Sequence, residues 1–253
     1  MPRVFTRLED WTAERAALER SRSSVGFVPT MGALHDGHRS LLRRARAEND
    51  RVVLSIFVNP TQFDDPADLG RYPRALESDL EKADGLADLV LAPDSAEIYA
   101  DHYRYRVTEG TLSPRLEGAH RPGHFEGVLT VVLKLLNLVR PHRAYFGEKD
   151  WQQLELVRGM VRALFLPVEI VPCPTVRDPD GLAVSSRNSR LSAPARAKAE
   201  AFPRILRDSA GPEKAAEALA LAGFAVDYVE DRDGIRLAAV RLEKVRLIDN
   251  VRL

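Results

Sequence analysis

The 253-residue sequence predicts an α/β protein, a Rossmann-like parallel-sheet domain followed by a smaller C-terminal α+β domain. Three observations predict it. Short apolar, β-branched runs alternate with amphipathic runs from residue 11 to residue 171. Polar clusters stand directly after several of those apolar runs, at His35/His38, Asn59–Gln62 and Gly147–Asp150. That is where ligands bind in open parallel sheets, beyond the carboxyl ends of the strands. From about Arg177 the texture changes to a polar Gly/Ser/Pro stretch, then alanine-rich runs, then three short strand patterns. The division is therefore expected at 1–176 and 177–253.

Residues 11–22 place Trp11, Leu18 and several alanines among charges, as an amphipathic helix does. Residues 25–28 read as the first strand, broken by Pro29 and Gly32. A helix follows over 40–48. The run Val-Val-Leu-Ser-Ile-Phe-Val at 52–58 suits a strand buried on both faces, and Asn59-Pro60 ends it. A turn at Tyr72-Pro73 leads into a helix reaching Lys82, and 89–92 form the third strand, stopped by Pro93. Residues 103–107 read as a short strand and 113–123 as a loop. A strongly apolar helix spans 125–139, closed by Pro141. A strand at 144–146, an amphipathic helix at 151–164 and a strand at 168–171 complete this half. In the second half, helices are expected over 194–209 and 212–221, and strands at 225–229, 237–240 and 245–248. Asp233-Gly234 is a hairpin signal between two of those strands.

Composition narrows the function classes. Apolar residues make up 45% and charged residues 29%, an ordinary globular balance. Lys plus Arg equals Asp plus Glu at 37 each, and zero net charge argues against a dedicated nucleic-acid binder. The single Cys173 forms no intrachain disulfide and fits a reducing compartment. The first ten residues lack a signal-peptide apolar core, and no run reaches membrane-span length. A cytoplasmic protein without nucleic-acid or membrane partners is expected.

Four segments carry chemistry. The first is Met31-Gly32-Ala33-Leu34-His35-Asp36-Gly37-His38, between a strand and a helix. A helix N-terminus offers unpaired N–H groups and a positive dipole end to phosphate, and the two imidazoles share the face of the first turn. Alone, H-x-x-H also suits a metal half-site or loop histidines; no cysteine or carboxylate cluster completes a ligand set nearby. The second is Asn59-Pro60-Thr61-Gln62, where a neutral amide after a buried strand can bind a hydroxyl or carboxylate, or simply make a turn. The third is Gly147-Glu148-Lys149-Asp150-Trp151-Gln152-Gln153. Gly147 permits close backbone approach and Lys149 supplies a phosphate-binding charge, while Asp150 could cap the next helix. Gln152 and Gln153 point to different faces, so one of the two is expected in a pocket. The fourth is Val184-Ser185-Ser186-Arg187-Asn188, hydroxyls beside an arginine, which reads as a phosphate clamp or as a solvated linker. Neither G-x-x-x-x-G-K-[ST] nor G-x-G-x-x-G nor G-x-S-x-G occurs.

Taken together these segments resemble the pantoate–β-alanine ligase (pantothenate synthetase) family. The resemblance rests on 29–38, 56–63, 121–128, 146–150, 185–188 and 246–250, in family order across nearly the whole chain. The first and fourth segments are similar to the HIGH and KMSKS signatures of the nucleotidyltransferase superfamily. The resemblance implies that ATP and (R)-pantoate give pantoyl adenylate and pyrophosphate. β-Alanine then gives pantothenate and AMP, with Mg2+ accompanying ATP and a homodimer as the assembly. It implies that 1–176 binds ATP and pantoate and that 177–253 carries the Ser-Ser-Arg loop.

By the same resemblance, His38, His35, Lys149 and Arg187 are catalytic. Met31 to His38, Gly147, Glu148, Lys149, Asp150, Val176, Val184, Ser185, Ser186 and Arg187 bind ATP. Gln62 and Gln153 bind pantoate, with Gln62 also near β-alanine, and Arg121 and His124 support the pantoate pocket. Asp79 is implied as a magnesium-side carboxylate, with no protein metal ligand assigned. Two departures stand out: a shorter stretch around 207–222, and Val184 where the family often has Met. The competing readings are another nucleotidyltransferase acting on a phosphorylated acceptor, and a non-enzymatic binding module.

Overall fold

The structure is a computed structural model that describes residues 1–64 and 66–253. The chain forms two compact units, Met1–Gly147 with Gln152–Cys173, and Glu148–Trp151 with Pro174–Leu253.

The first unit begins with β1 (Arg3–Phe5), α1 (Leu8–Ser21), β2 (Val25–Thr30) and α2 (Asp36–Glu48). It continues with β3 (Arg51–Ile56), α3 (Pro66–Arg71), α4 (Leu76–Ala83), β4 (Leu89–Leu91) and α5 (Ser95–Ile98). It ends with α6 (Glu117–His120), α7 (His124–Val139), β5 (Arg143–Gly147), α8 (Trp151–Ala163) and β6 (Glu169–Cys173). The strands form one parallel sheet in the order β1-β4-β3-β2-β5-β6. The chain order therefore runs outward in opposite directions from β2 and β5. Such a reversal opens a crevice at the strand ends, the usual ligand site of Rossmann-like sheets.

Alternate strand residues point to opposite faces, so each face needs its own core. Phe27, Val53 and Leu91 join one apolar cluster with Leu129, Val132 and Val157. Val28, Leu54 and Val90 join another with Leu42, Tyr145 and Val171. This two-sided burial is the physical basis of the continuous apolar runs in the sequence.

Several expectations need correction. β1 lies outside the expected set; three residues pairing with β4 at the sheet edge are too few to show a periodicity. α2 begins at Asp36 rather than residue 40, because its first turn is polar and contains Gly37. Residues 103–107 form no strand: the Val107 N–H is donated to Thr130 Oγ1 at 3.0 Å instead of a ladder. The expected loop at 113–123 contains α6.

The second unit holds α9 (Ala193–Ala199), α10 (Ala201–Asp208) and α11 (Pro212–Leu221), then an antiparallel sheet of β7 (Ala225–Arg232), β8 (Ile235–Leu242) and β9 (Val245–Arg252). The single helix expected over 194–209 is interrupted at Glu200. Pro203 has no N–H for the Ala199 carbonyl, and its ring crowds that carbonyl. Asp233 and Gly234 both take positive φ, 51° and 74°, as a type I′ hairpin requires. Phe202, Leu206, Leu219, Phe224, Val240 and Leu247 make its core. The buried Arg236 is neutralised by Asp231 at 2.7 Å and donates to the Leu206 and Ser209 carbonyls.

Candidate active site

The turn after β2 is held from below by one buried carboxylate. Asp79 of α4, 2% exposed, accepts the Ala33 N–H at 2.9 Å and the Leu34 N–H at 2.7 Å. Gly32 and Ala33 take positive φ, 81° and 51°. A side chain on Gly32 would meet Asp79 Oδ2 at 2.8 Å, so glycine is what lets the carboxylate reach this backbone. Thr30 adds a third anchor, donating to the Ser55 carbonyl and accepting the Gly32 N–H.

That turn delivers His35 as the N-cap of α2, with φ −135° and ψ 178°. The His35 N–H is donated to His38 Nδ1 at 3.4 Å, so His38 is an acceptor at Nδ1 and a donor at Nε2. The two rings stack at 4.0 Å with planes 28° apart. A side chain on Gly37 would touch the His35 ring, at 2.8 Å from Cε1; its absence leaves room for the stack. Two imidazoles over a helix N-terminus make a site for anionic oxygen.

The second corner follows β3. Asn59 caps a 3-10 turn, Pro60–Gln62, and is 1% exposed. Its Nδ2 donates to Gln62 Oε1 at 2.9 Å and to the Gly127 carbonyl at 3.2 Å. Its Oδ1 accepts from Tyr99 OH at 2.6 Å and Thr61 Oγ1 at 3.0 Å. The Gln62 carbonyl accepts from His124 Nδ1 at 2.9 Å and Arg121 Nη2 at 3.3 Å. Arg121 and His124 thus act on the backbone of Gln62.

The two adjacent glutamines of α8 have opposite fates. Gln152 is 4% exposed; it donates to the Leu112 and Arg115 carbonyls at 2.8 Å and accepts the Glu117 N–H at 2.9 Å. It ties down the 112–117 loop and has no group left over. Gln153 is half-buried, and its side chain makes no hydrogen bond among the described residues.

Of the remaining expected residues, Gly147 ends β5 in the first unit and the others lie in the second. Lys149 Nζ is 3.8 Å from Asp150. The 3-10 turn Glu148–Asp150 is gripped by Asn250 of β9, whose Nδ2 donates to the Glu148 and Lys149 carbonyls at 2.8 and 3.0 Å. Its neighbour Asp249 takes Arg177 in a two-pronged ion pair, at 2.7 and 2.9 Å. Val184 donates its N–H to the Val176 carbonyl at 2.9 Å, bringing those two residues together. Ser185, Ser186 and Arg187 follow as a half-buried segment, in which Arg187 N–H reaches Ser185 Oγ at 3.3 Å. Asn188 Nδ2 fastens it to the Ala183 carbonyl.

Among the described residues no three His, Cys, Asp or Glu groups converge as metal ligands. Both Asp79 oxygens accept backbone N–H groups, so the contact it makes here is with the turn at Ala33 and Leu34. Sequence reasoning also missed Tyr99, and gave Asn250 no role. Among the described residues no helix is long and apolar enough to cross a membrane.

The comparisons with known proteins agree over the full length. The family model described as pantoate-beta-alanine ligase matches residues 3–252. The pantothenate synthetase of Bdellovibrio bacteriovorus is 54% identical over 243 residues, 95% of this chain and 97% of that one. The Legionella pneumophila (strain Lens) pantothenate synthetase is 48% identical over 98% of both chains. Among solved structures, the Francisella tularensis pantoate-beta-alanine ligase, complexed with beta-gamma ATP and beta-alanine, is 39% identical with a TM-score of 0.94, covering 100% and 98%. The Thermus thermophilus pantothenate synthetase is 46% identical with a TM-score of 0.89, covering 99% of each.

Proposed function

The chain belongs to the pantoate–β-alanine ligase family, and we infer that it condenses (R)-pantoate with β-alanine to pantothenate at the expense of ATP. The observation that carries the reading is the pairing of an imidazole-bearing helix N-terminus after β2 with an amide corner after β3. The first suits a polyphosphate and the second an organic acid.

Chemically, the pantoate carboxylate attacks the α-phosphorus of ATP. The new P–O bond forms pantoyl adenylate as the bond to pyrophosphate breaks. The carboxylate is already ionised at neutral pH, so this step needs no general base. It needs donors aimed at the charge growing on phosphate oxygens. We assign that role to His38 through Nε2–H, to His35, and to Lys149 and Arg187. The β-alanine amine, as its free base, then attacks the acyl carbon: the C–N bond forms, the acyl C–O bond breaks, AMP leaves with that electron pair, and the nitrogen's extra proton passes to water.

In this reading Met31–His38 and Gly147–Asp150 bind ATP, Val176 and Val184 border the adenine, and Ser185, Ser186 and Arg187 bind phosphate. Gln62 and Gln153 bind pantoate. We assign ATP and pantoate binding to 1–176 and the Ser-Ser-Arg segment to 177–253. Magnesium comes as the counter-ion of ATP, held by phosphate oxygens and water, its usual manner. A homodimer in the cytoplasm belongs to the same proposal, supported by the family and by the single cysteine.

The test is product formation. With ATP, pantoate and β-alanine the protein should release AMP and pantothenate. Absence of β-alanine-dependent AMP release contradicts the reading. Calorimetric titration separates the alternative acceptor, since pantoate should bind and a phosphorylated acid should not.

A further inference from the structure

The four donors proposed for the phosphate charge divide between the two units. His35 and His38 belong to the first, Lys149 and Arg187 to the second. Lys149 is the unexpected member, because Gly147 before it and Gln152 after it both belong to the first unit. What holds Lys149 is therefore not the strand that precedes it.

The support comes from β9. Lys149 Nζ has Asp150 at 3.8 Å, beyond hydrogen-bond distance, so the backbone of the turn decides where this cation stands. Asn250, 101 residues away, directs Nδ2 to the Glu148 and Lys149 carbonyls at 2.8 and 3.0 Å. Two carbonyls can only accept, so the amide is fixed one way round and both of its protons are used.

Asn250 is itself held at both backbone polar groups. β9 is an edge strand, whose outward N–H and C=O groups need partners. The Asn250 N–H is donated to Asp249 Oδ1 at 2.8 Å, and its carbonyl accepts from Arg177 Nη2 at 3.0 Å. Asp249 is 3% exposed and fixes the guanidinium of Arg177, whose Nη1 also donates to the Gly181 carbonyl at 3.0 Å. Gly181 lies in the turn closed by the Arg177–Ala183 bridge, directly before Ser185–Arg187. Successive side chains of a strand point to opposite faces. Asp249 thus serves the segment that leads to Arg187, and Asn250 serves the turn that carries Lys149.

We propose that Asn250 is a positioning residue for Lys149, and that Arg177, Asp249 and Asn250 form one strut that sets Lys149 in register with the Ser-Ser-Arg segment. The proposal rests on the reading of Lys149 as a phosphate ligand. Donors stabilise growing charge only if they are in place before it grows, and the strut supplies that order from the side of the small sheet. It also gives the 246–250 stretch a part in the chemistry without contact to a substrate.

The test is a double-mutant cycle on the full chain, after pantothenate synthesis by the wild type has been measured. Asn250→Ala should lower kcat about 10- to 100-fold, the scale of an ångström's misplacement, and leave the KM values for pantoate and β-alanine unchanged. Made in the Lys149→Ala protein, which lacks the amine that Asn250 places, the same substitution should lower kcat by less than about 2-fold. Should Asn250→Ala fail to fold, Asn250→Ser takes its place. Its single hydroxyl proton cannot serve both carbonyls, so a loss of about 3- to 10-fold is expected, again absent without Lys149.

An Asn250 variant as fast as the wild type, or a loss of the same size with and without Lys149, overturns the strut. A wild type that makes no pantothenate, or a Lys149→Ala protein as fast as the wild type, overturns the functional reading and the strut with it.

Discussion

The corner at 59–62 and the segment at 184–188 bring polar side chains to one proposed reaction and are built in opposite ways. In the corner, Asn59 and Gln62 are 1% and 9% exposed, and bonds arrive from Tyr99, Gly127, Arg121 and His124, all far away in the chain. In the segment, Ser185, Ser186 and Arg187 are half-buried, and the bonds of Ser185 and Asn188 reach no more than five residues. The difference matches the two ligands proposed for them. A small acid offers few atoms, so its site gains most from being ordered in advance. A triphosphate carries several charges, which reward any cation brought near them.

That contrast can be sharpened by substitution. The largest effect is expected where charge grows in the reaction. Lys149→Ala and His38→Ala should each lower kcat about 100- to 1000-fold, with the circular dichroism spectrum unchanged, as for loss of a preorganised donor. Next comes the support of the histidine turn. Asp79→Asn keeps one acceptor oxygen for two N–H groups, and should raise the ATP KM and lower stability by roughly 1–3 kcal/mol, read by thermal melting.

A smaller and more selective effect separates the paired glutamines. Gln152→Ala leaves the Leu112 and Arg115 carbonyls without their donor, so it should lower the melting temperature while pantoate KM holds. Gln153→Ala should do the reverse. The smallest effect is in alkali. Tyr99 titrates near 10 when unfolded and is pushed up to about 12 by burial. A raised phenol contributes stability that is complete below pH 10 and is lost as pH rises from 10 towards 12. Tyr99→Phe should therefore melt with a shallower pH dependence in that window. An identical slope would show that Tyr99 adds nothing there.

How much of this could be read in the chain follows from the range of the forces involved. The inner strands were legible because burial on both faces demands continuous apolar runs, as at Val52–Leu54. β1 was not, since a three-residue edge strand leaves no pattern. The start of α2 was hidden because its first turn holds Asp36 and Gly37, chosen by the turn rather than by helix propensity. In the candidate site, His35, His38, Gln62, Lys149 and Arg187 stood out by chemical type and by their place after strands. The hold of Asp79 on the Ala33 backbone was not legible, because the two lie 46 residues apart. Tyr99 acts on Asn59 across 40 residues. Side chains that work by holding other side chains carry no local signature.

The division of labour between corner and segment is the central claim, and steady-state kinetics of two variants tests it most directly. Gln62→Ala should raise the KM for pantoate and leave that for ATP; Arg187→Ala should raise the KM for ATP and leave that for pantoate. Equal rises in both constants for both variants would contradict it.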